Sequence, residues 1–545
     1  MSQNEEPVDP PSAPRRQVST VVEPKVQAGL LGSTSNLINS IVGSGIIGLP
    51  YALNESGIVA GILMIVLVSY FTDKTLRMIV ELATYHPDLY GMGVKTYEDM
   101  LAIPFGMAGR RFIMIAMFIM AYGAMISYMI IVKDTVPTVL GLGNSWIERE
   151  GVMVVLTTCT MLPLSMMRDI SQLACTSALS VTADVILVIV LVVEAPIRRS
   201  VSEAGGLGAV ISENVIKQGF FVGLGVLSTA MACQHSAFLI SGTLADSTAS
   251  RWAIVTKHSL FVAGTLSLTF AVMGYLGYLD ETQGDILKNF DPESTAVNAG
   301  RILLAITMVF TYPMESFVCR HILMQLVFSG DMDNSSVGPN GESIPESKVL
   351  GFLGRRETWT LYLYLAALIP AILLRDIGPV LSITGSLGAS SVAYIAPGLA
   401  YLGLHGSEFL IWSSQSIPSH DKVDGGGEVE LPVAGDATAE LQTESKTSAS
   451  FARSRTIHPW WWYPTLMPIW TAVASKGALG TKQFVDTYHA GHTEDTKSLS
   501  VPVIRARKRD LIWSIVFIVF GVIAATLGLV SNIIFETRDI FFSPH

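Results

Sequence analysis

The stretch "NLINSIVGSGIIGLPYAL" (36–53) carries a G-x-G-x-x-G pattern at Gly43, Gly45 and Gly48, inside a run that is otherwise almost all apolar. That pattern marks a dinucleotide-binding loop only when a strand precedes it, a helix follows it, and an acidic residue lies about 20 positions on. Asp73 is in range by count. The intervening run "GIVAGILMIVLVSYFT" (57–72) is itself of membrane character, so Asp73 would lie across a bilayer from Gly43. The glycines therefore read as a weak point in a membrane helix. Glycine in a helix interior costs about 1 kcal/mol relative to alanine, and proline removes a backbone hydrogen bond. Two readings of residues 43–50 stay open. Small residues allow close helix packing. Alternatively the helix unwinds, and its freed N–H and C=O groups bind a ligand or ion.

Composition supports the membrane setting. Half of the 545 residues are hydrophobic and only 15% are charged, against roughly 25% charged in soluble domains. Mean hydropathy is +0.48. The net charge of −10 gives no support for a nucleic-acid partner, which would favour a basic face. Cys159, Cys175, Cys233 and Cys319 all lie in apolar stretches without a C-x-x-C pair. They read as buried thiols rather than disulfides or zinc ligands.

A bilayer core of roughly 30 Å needs about 20 apolar residues in a helix. Eleven segments qualify: 33–54, 57–80, 111–140, 151–167, 172–195, 218–243, 254–279, 299–327, 358–374, 378–404 and 511–534. With the N-terminus in the cytosol, 26 of the 35 Lys and Arg fall on the cytosolic side, as the positive-inside rule requires. The segment "PWWWYPTLMPIWTAVASKGALG" (459–480) also tempts. Counting it as a span would place "RARKR" (505–509) outside, so its tryptophans suit an interfacial or re-entrant piece. No basic-then-apolar signal peptide opens the chain. The predicted layout is a disordered cytosolic tail (1–32), a ten-helix core (33–404), a cytosolic loop (405–510), an eleventh helix (511–534) and a non-cytosolic tail (535–545). The acidic stretch 424–450 within the loop reads as disordered and open to cytosolic regulators.

Polar residues inside the spans mark candidate sites. "LSTAMACQHSAFLISGTL" (227–244) places Gln234 and His235 near the middle of the sixth segment. The first and sixth segments, five apart, share an interrupted character, as expected of two inverted five-helix repeats (about 33–195 and 218–404) with a site at their interface. In "FTYPMESFVCRH" (310–321), Pro313 frees a carbonyl one turn upstream and Thr311 offers a hydroxyl, a set suited to a small hard cation. Glu315 has Arg320 or His321 as a structural partner within reach. Asp184 lies midway along the fifth segment, as a proton relay or as a neutral hydrogen-bonded acid. His235 is either a titrating group or a satisfied core histidine.

These motifs resemble the amino acid/auxin permease family, which includes sodium-coupled neutral amino acid transporters of animals and vacuolar amino acid transporters of fungi. The resemblance rests on "NLINSIVGSGIIGLPYALNESGIVAGI" (36–62), "GAMISYMIIVKDTVP" (123–137), "ACQHSAFLI" (232–240) and "TYPMESFVCRH" (311–321), in that order. It covers about 33–404 and the last helix. It implies an all-α membrane protein with eleven transmembrane helices: a leucine-transporter-type 5+5 inverted repeat plus one helix, working by alternating access. It implies that Gly43, Ser44 and Gly45 meet the substrate's carboxylate or amino group, with Cys233, Gln234 and His235 facing them. Asn39 and Thr311 match positions that hold sodium in animal members. Asp184 joins them as the candidate proton carrier. The Trp-rich segment and long loop look fungal, which points to the vacuolar membrane and to protons, with sodium and other membranes open.

The function expected is ion-coupled secondary transport of amino acids, of the neutral class, with no cofactor beyond the coupling H⁺ or Na⁺. The competing reading is an amino-acid-sensing receptor with little flux, signalling through loop 405–510. An enzyme is not expected, since no catalytic motif such as G-x-S-x-G or a His/acid ligand cluster is present.

Overall fold

The computed structural model describes residues 28–86, 89, 94, 96–142, 146–167, 177–328, 355–416, 463–491 and 507–542. Within them the protein is helical, and the single strand-like feature is an isolated bridge between Ala28 and Leu244. Helix, not strand, leads into Gly43 among the described residues, which argues against the nucleotide-loop reading on structural grounds as well.

The chain opens with α1 (Leu30–Ile41), a 3-10 turn (Ser44–Gly48) and α2 (Leu49–Ser56). Then come α3 (Ile58–Tyr85), α4 (Tyr97–Val139), α5 (Trp146–Cys159), α6 (Met161–Met166) and α7 (Ser177–Glu194). Two short helices, α8 (Ile197–Glu203) and α9 (Leu207–Glu213), lead to α10 (Phe220–Met231) and α11 (Ala237–Thr243). The long α12 (Ala249–Tyr278), α13 (Thr295–Phe328) and α14 (Arg355–Leu373) follow. Next, α15 (Gly378–Thr384) runs through two π-helical turns into α16 (Ala396–Leu404). The last helices are α17 (Gly406–Ser416), α18 (Tyr463–Gly491) and α19 (Lys508–Phe542).

Six of these helices are long and apolar enough to cross a membrane among the described residues, or eight if each of two bent pairs forms one span. Both pairs, α1 with α2 and α7 with α8, bend by 49°. Every apolar stretch singled out in the sequence carries helix, with shifted ends. The third begins at Tyr97 rather than 111, because Thr96 caps it by accepting from the Asp99 N–H at 3.3 Å. Pro104 and Gly106 (φ 60°) then kink it.

The core is built from close approaches between glycines and neighbouring helices. A Cβ on Gly225 of α10 would lie 2.5 Å from the Ser382 carbonyl of α15, and one on Gly388 would lie 2.8 Å from the Met120 nitrogen of α4. Hydroxyls tie the same layers: Ser382 donates to the Val222 carbonyl at 3.0 Å and Thr229 to the Leu381 carbonyl at 2.7 Å. In lipid, where apolar burial between helices drives little, such packing and hydrogen bonds hold the bundle.

Part of the loop 405–510 is ordered against the core. Gly477 of α18 packs directly against Gly403, where a Cβ would meet the Gly403 Cα, and Trp470 and Ala474 are buried. Within 459–480, expected to be an interfacial segment, a helix runs from 463 onward; Trp460 to Trp462 and the acidic stretch 424–450 lie outside the described residues, as does most of the 1–32 tail. The 535–545 tail continues α19 as helix to Phe542. Cys233 and Cys319 are buried thiols, but Cys159 is exposed on the outward face of α5, so the expectation of four buried thiols is corrected there; Cys175 lies outside the described residues.

Candidate functional site

The first helix breaks where glycine and proline weaken it. α1 ends at Ile41, Val42 closes back on the Ile38 carbonyl at 2.8 Å, and Gly43 (φ −76°, ψ −147°) leaves the helical region. The 3-10 turn then runs into α2, which begins with Pro50 in its first turn. The carbonyl end of α1 and the N–H end of the following turn therefore meet at Gly43, neither with a side-chain cap.

The three glycines of the pattern have different surroundings. A Cβ on Gly43 would meet nothing within 4 Å. One on Gly45 would lie 2.5 Å from Ala230 Cα of α10, and one on Gly48 would lie 2.5 Å from Leu381 Cδ1 of α15. Gly45 and Gly48 thus serve close packing, while Gly43 borders open space. The packing reading holds at Gly45 and Gly48, and the helix is broken at Gly43.

The sixth apolar stretch breaks in the same manner. α10 ends at Met231, Cys233 (φ −137°, ψ 10°) interrupts it, and a 3-10 turn of Gln234–Ser236 leads into α11. The Cys233 N–H donates to Gln234 Oε1 at 3.0 Å, and Gln234 Nε2 donates to Thr75 Oγ1 of α3 at 3.0 Å. Gln234 is fully buried. Its amide closes the break and anchors it to α3. His235 is half-buried, and its Nδ1 is buried without a hydrogen-bond partner. The two broken helices meet directly: Ser40 Oγ donates to Ser236 Oγ at 2.9 Å.

The candidate ion residues lie on three helices. Asn39 sits half-buried in the last turn of α1. Thr311 on α13 donates its hydroxyl proton to the Thr307 carbonyl at 2.7 Å, leaving the oxygen lone pairs available. Asp184 on α7 is 3% exposed, and its Oδ2 has no hydrogen-bond partner. α7 packs against both α1 and α13. α13 remains helical through Pro313. Glu315 does not take the structural partner expected from sequence: Arg320 donates to the Ser165 carbonyl and Thr360 Oγ1, and His321 faces Gln325 Nε2 at 2.9 Å. Glu315 Oε2 is buried without a partner.

Sequence alone gives no reason to single out Ser40, Ser236 or Thr75, since hydroxyls are common in membrane helices. The structure selects them by contact. It also gathers a group of charged residues at one end of the bundle, Asp134 and Lys133 on α4 with Asp285 and Lys288 between α12 and α13. None of them is singled out in the sequence.

A family model described as transmembrane amino acid transporter protein matches residues 27–419. The chain is 31% identical over 409 residues, 73% of its length and 82% of the other's, to a Bos taurus protein provisionally named sodium-coupled neutral amino acid transporter 11. It is 29% identical over 379 residues, 66% of its length and 74% of the other's, to vacuolar amino acid transporter 2 of Saccharomyces cerevisiae. A manganese transporter of Eremococcus coleocola aligns at 12% identity over 93% of this chain and 94% of that one, with a TM-score of 0.37, on which no argument rests.

Proposed function

We propose that this chain, which belongs to the transmembrane amino acid transporter protein family, is a secondary active transporter that moves neutral amino acids by ion-coupled alternating access. The relatives with which it aligns are named as transporters rather than enzymes. The observation that carries the reading is the pair of broken helices joined through Ser40 and Ser236 beside the open space at Gly43.

The chemistry follows from the breaks. Uncapped N–H groups at the positive end of the turn after Gly43 suit a carboxylate, and freed carbonyls at the end of α1 suit an ammonium or a cation. Gly43 and the Ser44 backbone take the carboxylate; His235 lines the facing side beside Cys233. Gly45 and Gln234 hold the two breaks in shape. Asn39 and Thr311 supply oxygens near the coupling ion, and Asp184 is the intramembrane acid that can carry a proton.

The proposed architecture has eleven spans: a ten-span core of two inverted five-span repeats (33–195 and 218–404) and a last span at 511–534. The N-terminus and the 405–510 loop are cytosolic, following the Lys and Arg bias. The vacuolar membrane is the proposed location, by likeness to the Saccharomyces cerevisiae relative.

Ligand-induced thermal stabilisation tests the site. A neutral amino acid should raise the melting temperature of the purified chain, because a ligand that binds only the folded state stabilises it. Gly43→Leu should remove that rise. A panel of amino acids that leaves the wild-type melting temperature unmoved would count against the site.

A further inference from the structure

The loop between α12 and α13 lies over the non-cytosolic end of the proposed site. A Cβ on Gly284 would be 2.7 Å from the Gly378 nitrogen at the start of α15, and one on Gly378 would be 2.7 Å from the Tyr51 ring of α2. A Cβ on Gly48, at the end of the glycine turn, would be 3.8 Å from the Gly284 carbonyl. The loop therefore bears on α2 and α15 together. Arg301 of α13 fastens its far side, donating to the Leu287 carbonyl at 2.7 Å and the Phe290 carbonyl at 3.1 Å.

Asp285 points inward from this loop and is 1% exposed. Its Oδ1 accepts the Leu287 N–H at 2.9 Å, while its Oδ2 is buried without a hydrogen-bond partner. Asp134 on α4 lies close enough for its charge to oppose ionisation of Asp285. The Asp134 Oδ2 is also buried without a hydrogen-bond partner, with Lys288 Nζ 3.6 Å away.

The surrounding charges do not neutralise both acids. Lys133 on α4 gives its ammonium to the Ala371 and Leu374 carbonyls, at 2.6 Å each, and to Glu150 of α5 at 3.6 Å. Arg149, beside Glu150, acts on Asp134 from α5. Arg301 donates to loop carbonyls and Asn298 Oδ1 and makes no hydrogen bond to Asp285, although its charge acts on that carboxylate. Asp376, ahead of α15, adds a third carboxylate, engaged with the Gly378 N–H at 3.2 Å. Lys288 thus faces two buried carboxylates, and it also donates to the Arg375 carbonyl at 3.3 Å. Buried like charges at one site do not both ionise readily; one proton between them relieves the repulsion and gives each orphaned Oδ2 a partner.

We propose that Asp134 and Asp285 together bind one proton when the 282–290 loop closes over the non-cytosolic end, and that this proton, distinct from one carried at Asp184, is coupled to amino-acid movement by gating the loop. The proton enters from non-cytosolic solvent, forms an O–H bond on one Oδ2, and is hydrogen-bonded to the other. Its release leaves two adjacent carboxylates, which drive the loop off α4 and open the path to Gly43. Burial, and then the Asp134 carboxylate, raise the Asp285 pKa toward neutral pH. The inference rests on the transport reading given above.

The test uses the full chain in liposomes, with Cys159→Ser removing the thiol exposed among the described residues and Cys175→Ser the one outside them. Thr282→Cys, buried in the closed loop, is labelled with a membrane-impermeant maleimide on either side of neutral pH. Labelling, taken relative to that of a fully exposed cysteine at the same pH so that thiol ionisation cancels, should rise by about tenfold for each pH unit through the titration, as expected for loss of one proton. Asp285→Asn and Asp134→Asn should each abolish that dependence, together with amino-acid-evoked proton movement read by a trapped pH dye. Rates of Thr282→Cys labelling that ignore pH in the otherwise unchanged pair of acids would overturn the proposal, even if neither carboxamide variant inserts. Wild-type pH dependence in Asp285→Asn would overturn it too. Wild-type protein that fails to exchange labelled amino acid at equal pH would instead remove the transport reading beneath it.

Discussion

Ser40 Oγ, in the last turn of α1, donates a 2.9 Å hydrogen bond to Ser236 Oγ, in the 3-10 turn between α10 and α11. The two residues are 196 positions apart and each stands beside a helix break. Their bond holds two irregular pieces of backbone together at a place where neither makes a full helical ladder. An alternating-access cycle that moves one broken helix against the other has to make and break it. A neutral hydrogen bond contributes about 0.5–1.5 kcal/mol net. Ser40→Ala and Ser236→Ala should each change apparent amino-acid affinity by about two- to tenfold, which is that energy expressed as a ratio. In the double variant the effects should not add. Additive effects in a kinetic double-mutant cycle would show that the bond does not form in the substrate-binding state.

Gly43 and Gly45 should separate binding from folding. Gly45→Ala places a Cβ 2.5 Å from Ala230 Cα, so it should lower thermal stability in detergent by about 1–3 kcal/mol through overpacking. Gly43→Ala meets nothing within 4 Å and should leave stability near wild type. Gly43→Leu should keep the melting temperature while losing uptake. Equal melting losses at both positions would contradict the division between packing and binding glycines.

Gln234→Leu should destabilise the chain rather than alter selectivity. The substitution keeps side-chain bulk but leaves the Cys233 N–H without its acceptor and Thr75 without its donor. A buried donor left unsatisfied costs about 1–3 kcal/mol. The measurement is thermal melting beside a panel of competing amino acids. A changed order of competition at unchanged stability would return Gln234 to the substrate.

Acid should loosen the end of α3. His86, just past α3, is buried against His405, with ring centroids 4.8 Å apart. Burial, and then the neighbouring His405, lower its pKa to about 4. A histidine depressed in the folded state is held neutral there, while the unfolded chain takes up the proton first. Stability is therefore intact above the unfolded value of about 6.5 and is lost as pH falls toward the folded value. The loss should approach about 3 kcal/mol by the lower limit. His86→Gln should flatten this part of the pH–stability curve. A curve of unchanged slope would assign the effect to other groups.

The breaks at Gly43 and Cys233 were legible because glycine, proline and polar residues stand out inside apolar runs, and such interruptions leave few alternatives in lipid. The helix positions were legible for the same reason, although Thr96 and the Pro104–Gly106 kink extend α4 well before its apolar stretch begins. The division of labour among Gly43, Gly45 and Gly48 was not legible. It depends on Ala230 and Leu381, brought close only by the fold. Gln234 looked like a substrate ligand because a mid-span amide must find partners; only the structure shows that they are the Cys233 N–H and Thr75. Asp134 and Asp285 were not singled out in the sequence, because their burial arises from a loop folding back over α4.

The most direct test of the transport claim is uptake of labelled amino acids into proteoliposomes with pH and sodium gradients imposed separately. The account predicts concentrative uptake of neutral amino acids under one of the two gradients, lost in Gly43→Leu. No uptake under either gradient, in protein that is folded and inserted, would contradict it.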